Sequence, residues 1–502
     1  MPLQKNKPPA GNGQSDKQAT DSVMYFSGTN TTNGSRASGC AVGLPASPAR
    51  QDFLVRALAF RAKPNPGAVL GRGFRLVAFA ILGMTLAACG GGGGGGGSSS
   101  PPPTQAPEPT PTPDPTPDPP PVLFESEVAL GQSLFRDTNL SLNRSQSCST
   151  CHDGERAFTD GRLGADGLVG AASLGDDGFS LGDRNAPTGS YAHLTPEFGF
   201  GRRSRFNSQQ SDYEGYIGGF FHGGRAATLA DQAGGPPISA IEMGMPDKRA
   251  VVERLEENAD YVATFEEFYG ADIFDDDERA YAAMTQAIAA FESTDAFSTF
   301  DSKYDKSLRG EFVYDPLTKA ARGRALFFSQ QFTNCATCHQ LRPNSSAREM
   351  FTGWEYHNIG VPSNAELRAL NGIDADAIDP GLAANPAVPG ADQAGALGKF
   401  KTPTLRNIAV TGPYMHNGVF RELATVIMFY DKFFQGSAFP INPETGEAWR
   451  EPPVPETLAR DELLDGRRMT LDDVEAMVCF LRTLTDERYE PLIEENGVVC
   501  DT

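Results

Sequence analysis

Two copies of one short pattern, Cys148-Ser-Thr-Cys151-His152 and Cys335-Ala-Thr-Cys338-His339, constrain this chain more than any other feature. Two thiols three residues apart, followed at once by an imidazole, suit a porphyrin: the thiols form thioethers with its vinyl groups and the histidine is held against the iron. A zinc site would draw four ligands from paired motifs, and a redox dithiol has no use for a following histidine twice over. The sequence therefore predicts two c-type haems, attached at Cys148, Cys151, Cys335 and Cys338, with His152 and His339 as axial ligands.

A related unit precedes each motif: Gly131-Gln-Ser-Leu134-Phe135 before the first and Gly323-Arg-Ala-Leu326-Phe327 before the second. Tyr281, Met284, Ile288 and Phe291 recur at helical spacing, and Thr470 with Asp473 forms a capping box ahead of Leu471, Val474, Val478 and Leu481. Strand signals are sparse. The expectation is an all-α chain with little β structure: two cytochrome c-like haem domains in tandem, over residues 123–310 and 311–502. Gly310 and Pro316 place the boundary near Ser302–Pro316.

Arg72–Arg75, the apolar run Leu76–Leu86 and then Ala87-Ala88-Cys89-Gly90 read as a lipoprotein signal, with Cys89 the lipidated residue. The run is short of the roughly 20 apolar residues that span a bilayer. Residues 1–88 are thus expected to be a leader, and the polar stretch ahead of the signal points to a natural start downstream of Met1. The Gly-, Ser- and Pro-rich stretch 89–122 is expected to be a tether. The reading places the protein on the periplasmic face of a bacterial membrane, touching lipid only through Cys89. Beyond residue 88, 33 basic residues stand against 61 acidic ones. Such a field repels nucleic acid and steers basic partners.

Further stretches carry a resemblance: Arg184-Asn185-Ala186-Pro187-Thr188, Gly224-Arg225, Gln232-Ala233 through Glu242-Met243, and Thr404-Leu405-Arg406-Asn407-Ile408 through Pro413-Tyr414-Met415-His416-Asn417-Gly418. With the two haem motifs and in this order, they resemble the bacterial dihaem cytochrome c peroxidases and their MauG-like relatives over about residues 123–490. Ala157–Arg162 and His357–Pro362 look more like the MauG-like branch.

The resemblance implies that the N-terminal haem is the peroxide site, with Gln232 and Glu242 on its distal side. Chemistry independently asks for a carboxylate there, because cleaving peroxide requires moving a proton from one oxygen to the other. The resemblance also implies a calcium ion held by the Asn185 side chain and the carbonyls of Thr411 and Pro413, all hard oxygen donors. His222 takes the place of a tryptophan that many members carry between the haems; Phe221 or Tyr216 could serve in its stead. Arg184, Arg225 and Arg406 are candidates for pairing with haem propionates, and His357 and His416 for the surroundings of the second haem. Register within the family makes Tyr430 the second axial ligand of the C-terminal haem, with Met428 the alternative; two positions apart on a helix, only one can face the iron. No histidine lies between His152 and Arg184, so the N-terminal haem is expected to rest five-coordinate or water-ligated unless His193 caps it. Cys479 and Cys500 allow either a disulfide or a buried free thiol.

Three functions fit. The first is a dihaem peroxidase that reduces hydrogen peroxide to water at the N-terminal haem, with electrons relayed through the C-terminal haem from a small cytochrome c or copper protein. The second is a MauG-like oxidase acting on a protein or organic substrate through a high-valent dihaem state. The third is a non-enzymatic electron carrier. A homodimer, as in some relatives, is compatible with each.

Overall fold

The computed structural model describes residues 120–501 apart from 165, 206–209, 342–347 and 375. The leader, Cys89 and nearly all of the tether lie outside the described residues. The helix Glu127–Arg136 starts where the Ser126 side chain accepts from the Ala129 amide and buries Leu130, Gly131, Leu134 and Phe135. It packs on the long helix Asp277–Glu292, which carries the expected Tyr281, Met284, Ile288 and Phe291 face. A Cβ at Gly131 would come to 1.8 Å from the Ala287 carbonyl oxygen, so only glycine lets the two backbones meet.

The second repeat unit does the same. Lys319–Phe327 packs on Leu471–Arg482, which opens with the Thr470/Asp473 capping box, and a Cβ at Gly323 would lie 1.9 Å from the Ala476 carbonyl oxygen. The recurring Gly-x-x-Leu-Phe text thus marks two glycine-mediated helix crossings. Each anchors its own core, one around Phe135, Phe265, Met284 and Phe297, the other around Phe327, Phe351, Phe429 and Phe480.

Strand is scarce among the described residues, as expected for a helical chain. Gly199–Arg203 pairs antiparallel with Tyr213–Ile217, and Tyr356–His357 with Phe400–Lys401. A short helix, Lys303–Leu308, occupies the stretch where the boundary was expected. Its Asp305 takes a two-pronged bond from Arg406, at 2.6 and 2.8 Å, and Arg406 is only 1% exposed. The guanidinium also donates to the Glu349 carbonyl and lies over the Tyr191 and Phe300 rings. Arg406 is therefore spent on a buried ion pair, and the expectation that it meets a propionate is corrected. Cys479 and Cys500 form a disulfide that ties the last helix to the C-terminal tail, which removes the free-thiol alternative. No helix among the described residues is long and apolar enough to cross a membrane.

Candidate functional site

The first motif forms a single helical turn, Cys148–Cys151, opened by a capping box between Ser147 and Thr150. Its two thiols and His152 line a cavity of about 520 Å³. His152 Nδ1 lies 3.1 Å from the Phe158 carbonyl oxygen, which can only accept. That nitrogen therefore carries the proton and Nε2 keeps its lone pair for a metal. Burial lowers the pKa of the imidazole, which favours the neutral form a ligand needs.

Gln232 and Glu242 line the same cavity. Gln232 sits on the short helix Leu229–Ala233, held by a Thr228/Asp231 capping box. Glu242 follows the Pro236–Ile238 turn, its amide bonded to the Ser239 carbonyl at 3.1 Å and its carbonyl to the Asp176 amide at 2.7 Å. Backbone bonds on both sides of the residue thus aim a half-buried carboxylate. Arg184 and Arg225 also reach the cavity, but Arg184 pairs with Asp379 at 2.5 Å and Arg225 lies 3.5 Å above the Phe221 ring. A further carboxyl, Glu292, closes the helix Asp277–Glu292; it is 7% exposed, and burial pushes its pKa up to about 8. Sequence reading passed over it, although it lies one turn beyond Ile288 on the buried face.

The second motif lines another cavity, of about 310 Å³, together with Tyr430, His357 and His416. His339 repeats the arrangement of His152, with Nδ1 3.0 Å from the Phe351 carbonyl oxygen. Tyr430 is among the lining residues, whereas Met428 packs into the hydrophobic core. Burial pushes the Tyr430 phenol well up, so it would ionise only against a cation. Cys338, Glu355 and His357 have ligand atoms within 4.8 Å of one another. With its sulfur taken up in a thioether Cys338 would be a weak donor, and Glu355 is already bonded to Arg205, Gln340 and His357, so this trio fits a separate ion poorly.

The two cavities share one wall. Asn185–Thr188, His222 and Lys401–Thr404 line both. His222 Nε2 donates to the Asn185 carbonyl at 2.9 Å, and burial takes its pKa down to about 4. Phe221 lines the first cavity, while Tyr216 lines neither; it stacks on Phe198 and bonds Asp392. His193 also lines neither cavity and sits 3.5 Å from the Ser298 hydroxyl. Beside the wall, Asn185, Thr411 and Asp160 border a pocket of about 10 Å³, room for one ion or water. The Asn185 amide nitrogen is committed to the Ala171 carbonyl, which leaves Oδ1 for a cation. Pro413 lines the second cavity and not this pocket.

The paired thiols and the imidazoles with Nδ1 tied back, each beside a large cavity, fit two covalently bound haems. Comparison with known proteins agrees. A family model for di-haem cytochrome c peroxidase matches residues 125–312. The methylamine utilization protein MauG of Paracoccus denitrificans is 48% identical over 373 residues, covering 73% of this chain and 90% of that protein. The cytochrome c peroxidase Ccp of Escherichia coli is 30% identical over 315 residues, 62% of this chain and 55% of that protein. Among solved structures, the diheme peroxidase BthA of Burkholderia thailandensis superposes with a TM-score of 0.64 at 30% identity, over 76% of this chain and 91% of that one.

Proposed function

Because the chain belongs to the di-haem cytochrome c peroxidase family that includes MauG, we propose that this oxidoreductase uses hydrogen peroxide to oxidise a protein or organic substrate, in the MauG manner. The observation that carries this reading is Tyr430, not Met428, on the second cavity. When bound, the haems supply redox iron that reacts with peroxide at the first site and exchanges electrons at the second.

The chain's residues do the rest. Glu242 moves a proton from one peroxide oxygen to the other, which departs as water. Gln232, an amide on the same cavity, orients the peroxide by hydrogen bonding. Phe158 and Phe351 carbonyls hold the two imidazoles in register. Tyr430 would hold the iron of the second haem through its phenolate, a donor that would favour the oxidised metal and make that site a poor acceptor of electrons from a cytochrome. Asn185 and Thr411 would hold calcium in the small pocket beside the shared wall.

A second reading, reduction of peroxide at the expense of a small cytochrome c or copper protein, draws support from the acidic excess beyond residue 88, 61 residues against 33. We place the two haem domains at residues 123–310 and 311–502 and the protein on the periplasmic face of the membrane, anchored through Cys89; a homodimer fits the same reading. The deciding experiment mixes the holoprotein with peroxide and a reduced basic cytochrome c. Slow turnover in the parent and faster turnover in Tyr430→Met are expected. Rapid turnover in the parent, with a Tyr430→Phe spectrum identical to it, overturns the proposal.

A further inference from the structure

The segment 350–354 is braced on the second haem motif. Gly353 donates to the Cys338 carbonyl, Thr352 to Gln340 and Met350 to Leu341, each at 2.9 Å, while the Phe351 carbonyl accepts from His339 Nδ1. Side chains alternate along it. Phe351 enters the core around the second motif, whereas Met350 and Trp354 are buried and line the first cavity. One short segment thus touches the motif of one site with its backbone and the cavity of the other with an indole.

Trp354 is one of two tryptophans in the chain and is 5% exposed. Its amide donates to the Thr352 hydroxyl at 2.8 Å and its carbonyl accepts from Gly218 at 3.1 Å. Its φ is +53°, a left-handed conformation that bulky residues rarely adopt and that the surrounding bonds must enforce. His222, which lines both cavities, is an imidazole, much harder to oxidise by one electron than an indole.

The geometry points to Trp354 as the electron relay between the two sites, an inference that rests on the dihaem reading above. Peroxide takes up two electrons and two protons as it becomes two waters. The N-terminal haem would supply one of those electrons and the Trp354 indole, across the first cavity, the other, leaving an indole radical cation. That radical is refilled by one electron from the C-terminal haem, along Phe351–Trp354 and its hydrogen bonds to His339 and Cys338. Trp354 ends unchanged, and the C-terminal haem is oxidised by one electron.

The test uses the fully haem-loaded protein with Trp354→Phe, Trp354→Tyr and, as control, Trp449→Phe. Peroxide is added, oxidation of the C-terminal haem is followed by stopped-flow absorbance, and radicals are trapped by freeze-quench paramagnetic resonance in protein carrying deuterated tryptophan. We expect a tryptophan radical in the parent and in Trp449→Phe. In Trp354→Phe that radical should be lost, C-terminal oxidation should slow by about tenfold or more, and haem content and both potentials should be unchanged. Trp354→Tyr, which keeps an oxidisable ring, should recover most of the rate. An unaltered rate and radical in Trp354→Phe overturn the relay alone. A parent protein whose spectrum does not respond to peroxide overturns the dihaem-enzyme reading and the relay with it.

Discussion

Glu292→Gln tests whether the first cavity holds a protonated carboxyl. Glu292 is 7% exposed, and its Oε2 has no hydrogen-bond partner among the described residues. Burial disfavours its charged form and raises its pKa from 4.5 to about 8. The folded protein therefore keeps a proton on this side chain between those values while the unfolded chain gives it up. The stability tied to that proton is complete below the unfolded value and declines as pH rises toward the folded one. One pKa unit corresponds to about 1.4 kcal/mol, so by pH 7 the loss amounts to about 3 kcal/mol. Glutamine has the same shape and no charge at any pH, so its variant lacks this decline. Urea unfolding of the holoprotein, followed by circular dichroism from pH 4.5 to 8, should show the variant gaining on the parent steadily up to about that amount. Parallel curves would mean that Glu292 is ionised in the folded state, and a gain that shrinks with pH would mean that a cation stabilises it; either refutes the argument.

Glu242→Gln should slow peroxide cleavage by about two orders of magnitude or more, the usual worth of one positioned acid–base group, with both haems retained; stopped-flow absorbance and a pyridine haemochrome assay check the two halves. Arg406→Met leaves Asp305 buried without its partner and should cost about 3–5 kcal/mol, read as a lower urea midpoint that Asp305→Asn in the same chain partly restores. With His193 on neither cavity, the resting oxidised protein should show a high-spin N-terminal haem, and a resonance spectrum containing only low-spin signals would count against that.

Much of this was written in local sequence. The haem motifs, the Gly-x-x-Leu-Phe units and the Thr470 capping box each work within a few residues of chain, so their chemistry is readable in one dimension. The Gly131 and Gly323 crossings show the same thing: a glycine on an apolar helix face already announces that another backbone must come close. Other assignments depended on direction. Between Met428 and Tyr430, helical periodicity says only that one faces away from the other, and packing of the helix Leu423–Asp431 against its neighbours chose which. Arg184, Arg225 and Arg406 look alike in sequence, yet one found Asp379, one the Phe221 ring and one the buried Asp305. Glu292 and Trp354 gave no signal, because nothing near either residue in sequence says what it will face. Covalent motifs and helix periodicity were thus settled by the order of residues; the wall between the cavities, built from segments as distant as Asn185, His222 and Lys401, was decided only in the folded chain, because burial and hydrogen-bond choice depend on groups that sequence distance does not bring together.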